Sequence, residues 1–74
     1  MSSISERVVE AISRKIGKRG KAAFARKIGV SPQALEHYLK RGGVPNAETM
    51  AEIARETGCS LNWLTTGMDD LGEE

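Results

Sequence analysis

Residues 21–40 read KAAFARKIGVSPQALEHYLK, and this stretch decides the fold. Phe24, Ala25 and Ile28 share one face of a helix running from Lys21 to Ile28. Gly29 follows at the point where a chain leaving a helix turns left-handed, a conformation that glycine adopts without steric cost. Ser31-Pro32 then opens another helix: the serine caps free backbone N–H groups, and proline suits the first helical position, where its missing N–H has no partner anyway. That helix extends to about Lys40, with Leu35 and Tyr38 facing inward, and Gly42-Gly43 stops it. A short turn containing glycine sets two helices at a steep angle. Ala25 is small enough to let the later helix approach, and Ile28, Val30 and Leu35 fill the angle. The outer face of the later helix carries Gln33, Glu36, His37, Lys40 and Arg41, a polar rod of the size that the DNA major groove admits.

The flanking sequence supplies three more helices. Ile4, Val8, Ile12 and Ile16 recur every four residues, with Val9 beside them, behind a cap at Ser3 or Ser5. Gly17 and Gly20 interrupt that pattern. Asn46 caps a fourth helix in which Ala47, Met50, Ala51 and Ala54 sit at i, i+3, i+4 and i+7, with Ile53 beside them. Gly58 ends it, Ser60 caps a short fifth helix containing Leu61, Trp63 and Leu64, and Gly67 ends that one. No segment alternates as a strand does. The expectation is an all-α, five-helix domain over residues 1–67, with an acidic, frayed tail over 68–74 that would suit the start of a linker.

Composition narrows the function. The chain has 74 residues and is 39% hydrophobic, enough for one small core. One cysteine, Cys59, allows no internal disulfide, and with one histidine a four-ligand zinc site is excluded. No basic-then-apolar leader and no bilayer-length apolar run is visible. A soluble, cytoplasmic protein is expected, with no metal and no cofactor.

The formal net charge is +1, but it is unevenly distributed. Between Ser13 and Arg41 lie nine cations and one acid, Glu36, a net of +8. The remainder is acidic, with Glu48, Glu52, Glu56, Asp69, Asp70, Glu73 and Glu74. A basic face of this kind implies an anionic partner, nucleic acid foremost.

The combination of Ala25, Gly29, Val30, Ser31-Pro32, Leu35, Tyr38 and Trp63-Leu64 resembles the helix-turn-helix domain of lambda-repressor-like, or XRE-family, phage regulators. The similarity runs on through Val44-Pro45-Asn46 and Leu61-Asn62-Trp63-Leu64-Thr65-Thr66-Gly67, covering roughly residues 4–67. It departs from the common pattern at Leu39, where glutamate is frequent, and at Lys21, where glutamine is frequent. The resemblance implies a sequence-specific reader of double-stranded DNA that works as a homodimer on a palindromic operator, a repressor or regulator of phage or bacterial type.

Site residues follow from position. Ser31, Gln33, Glu36 and His37 are the candidates to read bases; Gln33 suits adenine, and Glu36 either accepts from cytosine, and near phosphates discourages non-specific binding, or pairs with Lys40 one turn on. Ser31 is a cap first and a DNA contact second. Lys21, Arg19, Lys40 and Arg41 are the candidates to hold phosphates. A lysine at a helix start opposes the helix dipole by roughly 0.3–1 kcal/mol, and no acid lies in that first turn, so a docked phosphate would reverse the penalty at Lys21. Arg14, Lys15 and Lys18 either join them or solvate the first helix. Leu61, Trp63 and Leu64 are the candidates for a dimer contact, with Trp63 alternatively packing across the first helix; Cys59 reads as a small buried filler.

The setting stays open between a free-standing Cro-like regulator, a controller protein or antitoxin, and the N-terminal piece of a longer repressor. The rival from another class is a protein-interaction module that presents the same fold to a partner such as a toxin. An enzyme is set aside for want of a phosphate loop, a metal cluster or a triad, and no small-molecule pocket is evident.

Overall fold

Four side-chain caps mark helix starts. A computed structural model describes residues 3–17 and 19–68, and its helices are α1 (Ile4–Ile16), α2 (Lys21–Ile28), α3 (Pro32–Lys40), α4 (Ala47–Thr57) and α5 (Leu61–Thr66). No strand occurs among the described residues. At α1 it is Ser3 that caps, in a reciprocal box: Ser3 Oγ accepts from the Glu6 amide at 3.2 Å, and Glu6 Oε1 accepts from the Ser3 amide at 2.9 Å. Ser31, Asn46 and Ser60 cap α3, α4 and α5 with a single bond, each accepting from the amide three residues on.

The core draws on every helix. Val8 and Ile12 of α1, Leu35 of α3, Ile53 of α4 and Leu64 of α5 are its largest fully buried side chains, and Phe24, Ala25 and Ile28 of α2 close it. α1 is the spine: it packs on α3, α4 and α5, while α2 packs on α3 and α4. Val30, Tyr38 and Cys59 lie partly buried at its edge, so Cys59 is not the enclosed filler its small size suggests.

Two helix faces sit differently from their apolar patterns. In α1 the buried residues are Arg7, Val8, Ala11 and Ile12, so the inner face turns toward 7 and 11, and Val9 stays half exposed. In α4 the inner face is Met50, Ile53 and Ala54, and Ala47 and Ala51 lie in solvent. Alanine tolerates either environment, so a stripe that counts alanines is centred loosely. The expected tail at 68–74 lies, apart from Met68, outside the described residues, as does Lys18.

Candidate nucleic-acid interface

The turn between α2 and α3 is built as the sequence requires. Gly29 stands in the left-handed region at φ 79°. Its amide donates to Arg26 O at 3.3 Å and the Val30 amide to Ala25 O at 2.9 Å, so the last carbonyls of α2 are satisfied by the chain that leaves it. Ala25 is buried beneath the turn. Two residues after Gly29, Ser31 Oγ accepts from the Ala34 amide at 3.1 Å, leaving its hydroxyl proton free to donate outward.

Along α3, Leu35 points into the core, and Ser31, Gln33, His37 and Lys40 stand exposed with Arg41 just beyond. His37 has an additional constraint. Its ring lies over Gly43, where an added Cβ would fall 2.1 Å from His37 Cδ2 and 2.6 Å from Nε2. A side chain at Gly43 would displace this imidazole, which ends a rotatable side chain, so the glycine that follows α3 leaves the ring its present place.

Glu36 links the two helices. Its Oε2 lies 3.4 Å from Lys21 Nζ, at the start of α2, and its Oε1 lies 3.5 Å from Lys40 Nζ, at the end of α3. The i,i+4 pair with Lys40 is the one its spacing offers; the pair with Lys21 spans fifteen residues and the turn. Desolvation alone would raise the Glu36 pKa, but the hydrogen bond and charge of Lys21, joined by the charge of Lys40, outweigh it and hold the carboxyl below its ordinary value. Glu36 thus offsets the Lys21 charge at a helix start that has no side-chain cap and no acid in its first turn.

The α2–turn–α3 unit and the helices that frame it match a known family along nearly their whole length. A model of the bacteriophage CI repressor helix-turn-helix domain matches residues 6–72. The chain belongs to that family. Two solved structures share the fold of this CI-type domain. The P22 c2 repressor in complex with a synthetic operator superposes with a TM-score of 0.72 at 24% identity, over 92% of this chain and all of that one. The solution structure of the P22 c2 repressor DNA-binding domain gives 0.66 at 27% identity, over 85% and 80%. A helix-turn-helix-type transcriptional regulator of Haemophilus influenzae, itself uncharacterised, is 38% identical over 48 residues. The chain spans about a fifth of that relative's length: the match covers 65% of this chain and 20% of the relative.

In the CI-type domain the three residues expected at a dimer contact separate. Leu61 is 43% exposed and Trp63 is half-buried against the core. Leu64 is 0% exposed, and this corrects its assignment: a side chain wholly enclosed by its own domain has no surface to give a partner. Met68 is 67% exposed and is held back toward α5, its carbonyl accepting from Asn62 Nδ2 at 3.1 Å.

One buried residue that anchors α5 was missed. Arg7 is only 6% exposed, and its Nε donates to the Leu64 carbonyl at 3.1 Å. An added Cβ on Gly67, which sits at φ 83° just after α5, would fall 3.0 Å from an Arg7 guanidinium nitrogen. α5 has no basic residue in its last turn, and Arg7 supplies the cation that its carbonyl end attracts. The signal was present in register: Arg7 lies four residues before the buried Ala11, on the inner face of α1. Among the described residues no cluster of three His, Cys, Asp or Glu side chains could hold a metal ion, and no helix is long and apolar enough to cross a membrane.

Proposed function

We propose that this domain is a sequence-specific reader of duplex DNA that regulates transcription, acting as a homodimer on a palindromic operator. The observation that carries the reading is the exposed polar edge of α3, presented by a helix-turn-helix whose second helix begins just past Gly29 and whose first begins with a lysine. Gln33 and His37 read base edges, with Ser31 donating from the start of α3. Lys21, Arg19, Lys40 and Arg41 contact phosphates and set the register of α3 on the groove. The family is that of repressor domains, and the P22 c2 repressor, which shares the fold, has been seen on a synthetic operator. Leu61 and Trp63, with Met68, form the contact between two copies, placing two α3 helices about 34–36 Å apart. The cytoplasm is where such a protein meets its DNA, and binding alone accounts for its action, with no catalytic step.

Fluorescence anisotropy tests this with duplex DNA from upstream of the protein's own gene, beside scrambled DNA, over a range of salt. Preferential binding to the upstream duplex, strengthening as salt falls, is expected. Gln33→Ala should relax discrimination at one base position by roughly 1–3 kcal/mol. Lys21→Ala should weaken binding and flatten the salt slope. No binding to any duplex at low salt would overturn the reading and favour a protein-interaction module.

A further inference from the structure

We propose that Glu36 is a selectivity-determining positioning residue, which holds Lys21 and Lys40 as one clamp across the turn and limits their attraction for DNA of arbitrary sequence. The inference rests on the DNA-binding reading and assigns Glu36 a role other than reading a base. Three observations carry it. The carboxylate reaches one lysine from each helix of the motif, at 3.4 and 3.5 Å. Lys21 and Lys40 line one shallow groove between α1 and α3, together with Ile16 and Leu39, so the two cations are neighbours on a single surface. Glu36 Oε1 is shielded from solvent and has no hydrogen-bond partner, so its nearest compensation is the Lys40 charge. A glutamate reading cytosine would share its oxygens between the base and the lysines. A glutamate that stays with them presents phosphate with a cluster of net charge +1 instead of +2, its ammonium groups pinned at fixed positions.

The consequence is measurable as counterion release. Each additional phosphate neutralised steepens the slope of log K against log salt by about 0.9. Removing the one negative charge of the cluster should therefore strengthen binding to arbitrary DNA by about 8-fold at 0.1 M salt, from that same slope. Binding at the selected site gains less, because its lysines already meet phosphate in the aligned geometry, and discrimination falls.

The experiment uses purified protein, a labelled random-sequence duplex and a duplex selected by the protein from a random library. Glu36→Gln is compared with the unmodified protein across salt concentrations. The expected result is tighter binding to the random duplex, a steeper slope and a reduced ratio of selected to random affinity. Adding Lys21→Met or Lys40→Met to Glu36→Gln should erase the gain, and Glu36→Asp, which restores the charge, should return the random-duplex affinity toward that of the unmodified protein. Unchanged affinity and slope for the random duplex would overturn the proposal. So would a loss confined to one base pair of the selected duplex, which would make Glu36 a base reader. Failure of the unmodified protein to bind either duplex strikes the DNA-binding reading itself, and the proposal with it.

Discussion

Replacing Arg7 by methionine isolates what the buried arginine does for α5. Methionine keeps an unbranched apolar stem of similar reach and removes the charged donor. The loss includes the 3.1 Å bond from Nε to the Leu64 carbonyl, in the last turn of a six-residue helix whose final acceptors have no partners further along the helix. A hydrogen bond from a charged group contributes about 1.5–3 kcal/mol. The attraction of the guanidinium for the negative end of α5 acts in the same direction, while relief from burying a charge acts against it. We take about 1.5–3 kcal/mol as the net loss. At about 4–8 °C per kcal/mol for a domain of this size, the melting temperature should fall by roughly 6–24 °C. Far-UV circular dichroism gives that number, and hydrogen exchange localises it: α5 amides should lose protection before those of α2. Arg7→Lys should recover only part of the loss, since an ammonium lacks the planar fork that reaches Leu64 O from this angle. A melting temperature within about 2 °C of the unmodified protein would refute the reasoning, as would equal loss of protection in α2 and α5.

The remaining predictions use other parts of the molecule. Gly29→Ala places a Cβ at φ 79° and should destabilise by roughly 1–2 kcal/mol, measured by urea unfolding; no change would mean the turn has another conformation. Gly43→Ala should push the His37 ring away while changing stability by no more than about 0.5 kcal/mol, since the displaced atoms end a rotatable side chain; unshifted His37 ring resonances would contradict this. Glu36 has a lowered pKa in the folded state, so its ion pairs stabilise the protein above the unfolded carboxylate value and are lost as pH falls through the lower folded one. Its side-chain carboxyl should accordingly titrate below free glutamate by NMR, and a midpoint at or above that value would exclude the two-lysine geometry. Leu61→Glu should abolish self-association in sedimentation with the fold intact, whereas Leu64→Ala should cost about 2–5 kcal/mol of stability through the cavity it leaves.

What the sequence made legible is what is decided within a few residues. Gly29, Ser31-Pro32, Asn46 and Ser60 act through backbone groups three or four positions away, and each stands where its local chemistry puts it. The Glu36–Lys40 pair belongs to the same class. The Arg7–Leu64 bond joins residues 57 apart, and the Lys21–Glu36 bond crosses a turn whose angle no local rule supplies. Leu64 failed for a related reason: a six-residue helix is under two turns long, so three apolar residues on it do not tell which face is inner. The orientation of α5 is set by its contacts with α1 and α4, and only the assembled fold contains that information.

The arrangement of charge divides the proposed labour on DNA. Arg14 is paired with Glu10 at 2.7 Å, and Lys21 and Lys40 share Glu36. Among the described residues, Lys15, Arg19, Arg26, Lys27 and Arg41 have no acid within 4 Å. Unpaired cations attract a polyanion at long range and independently of sequence, which raises the rate of encounter and falls with salt. They are poor at discrimination for the same reason. Paired cations contribute less to encounter, but their positions are fixed by an element of the fold, so they favour a phosphate only where the groove presents it. Glu36 holds one lysine from each helix of the motif, Lys21 at the start of α2 and Lys40 at the end of α3. Weakening the clamp should then speed association with any DNA while lowering the advantage of the selected one, a combination that loss of a base contact alone would not produce.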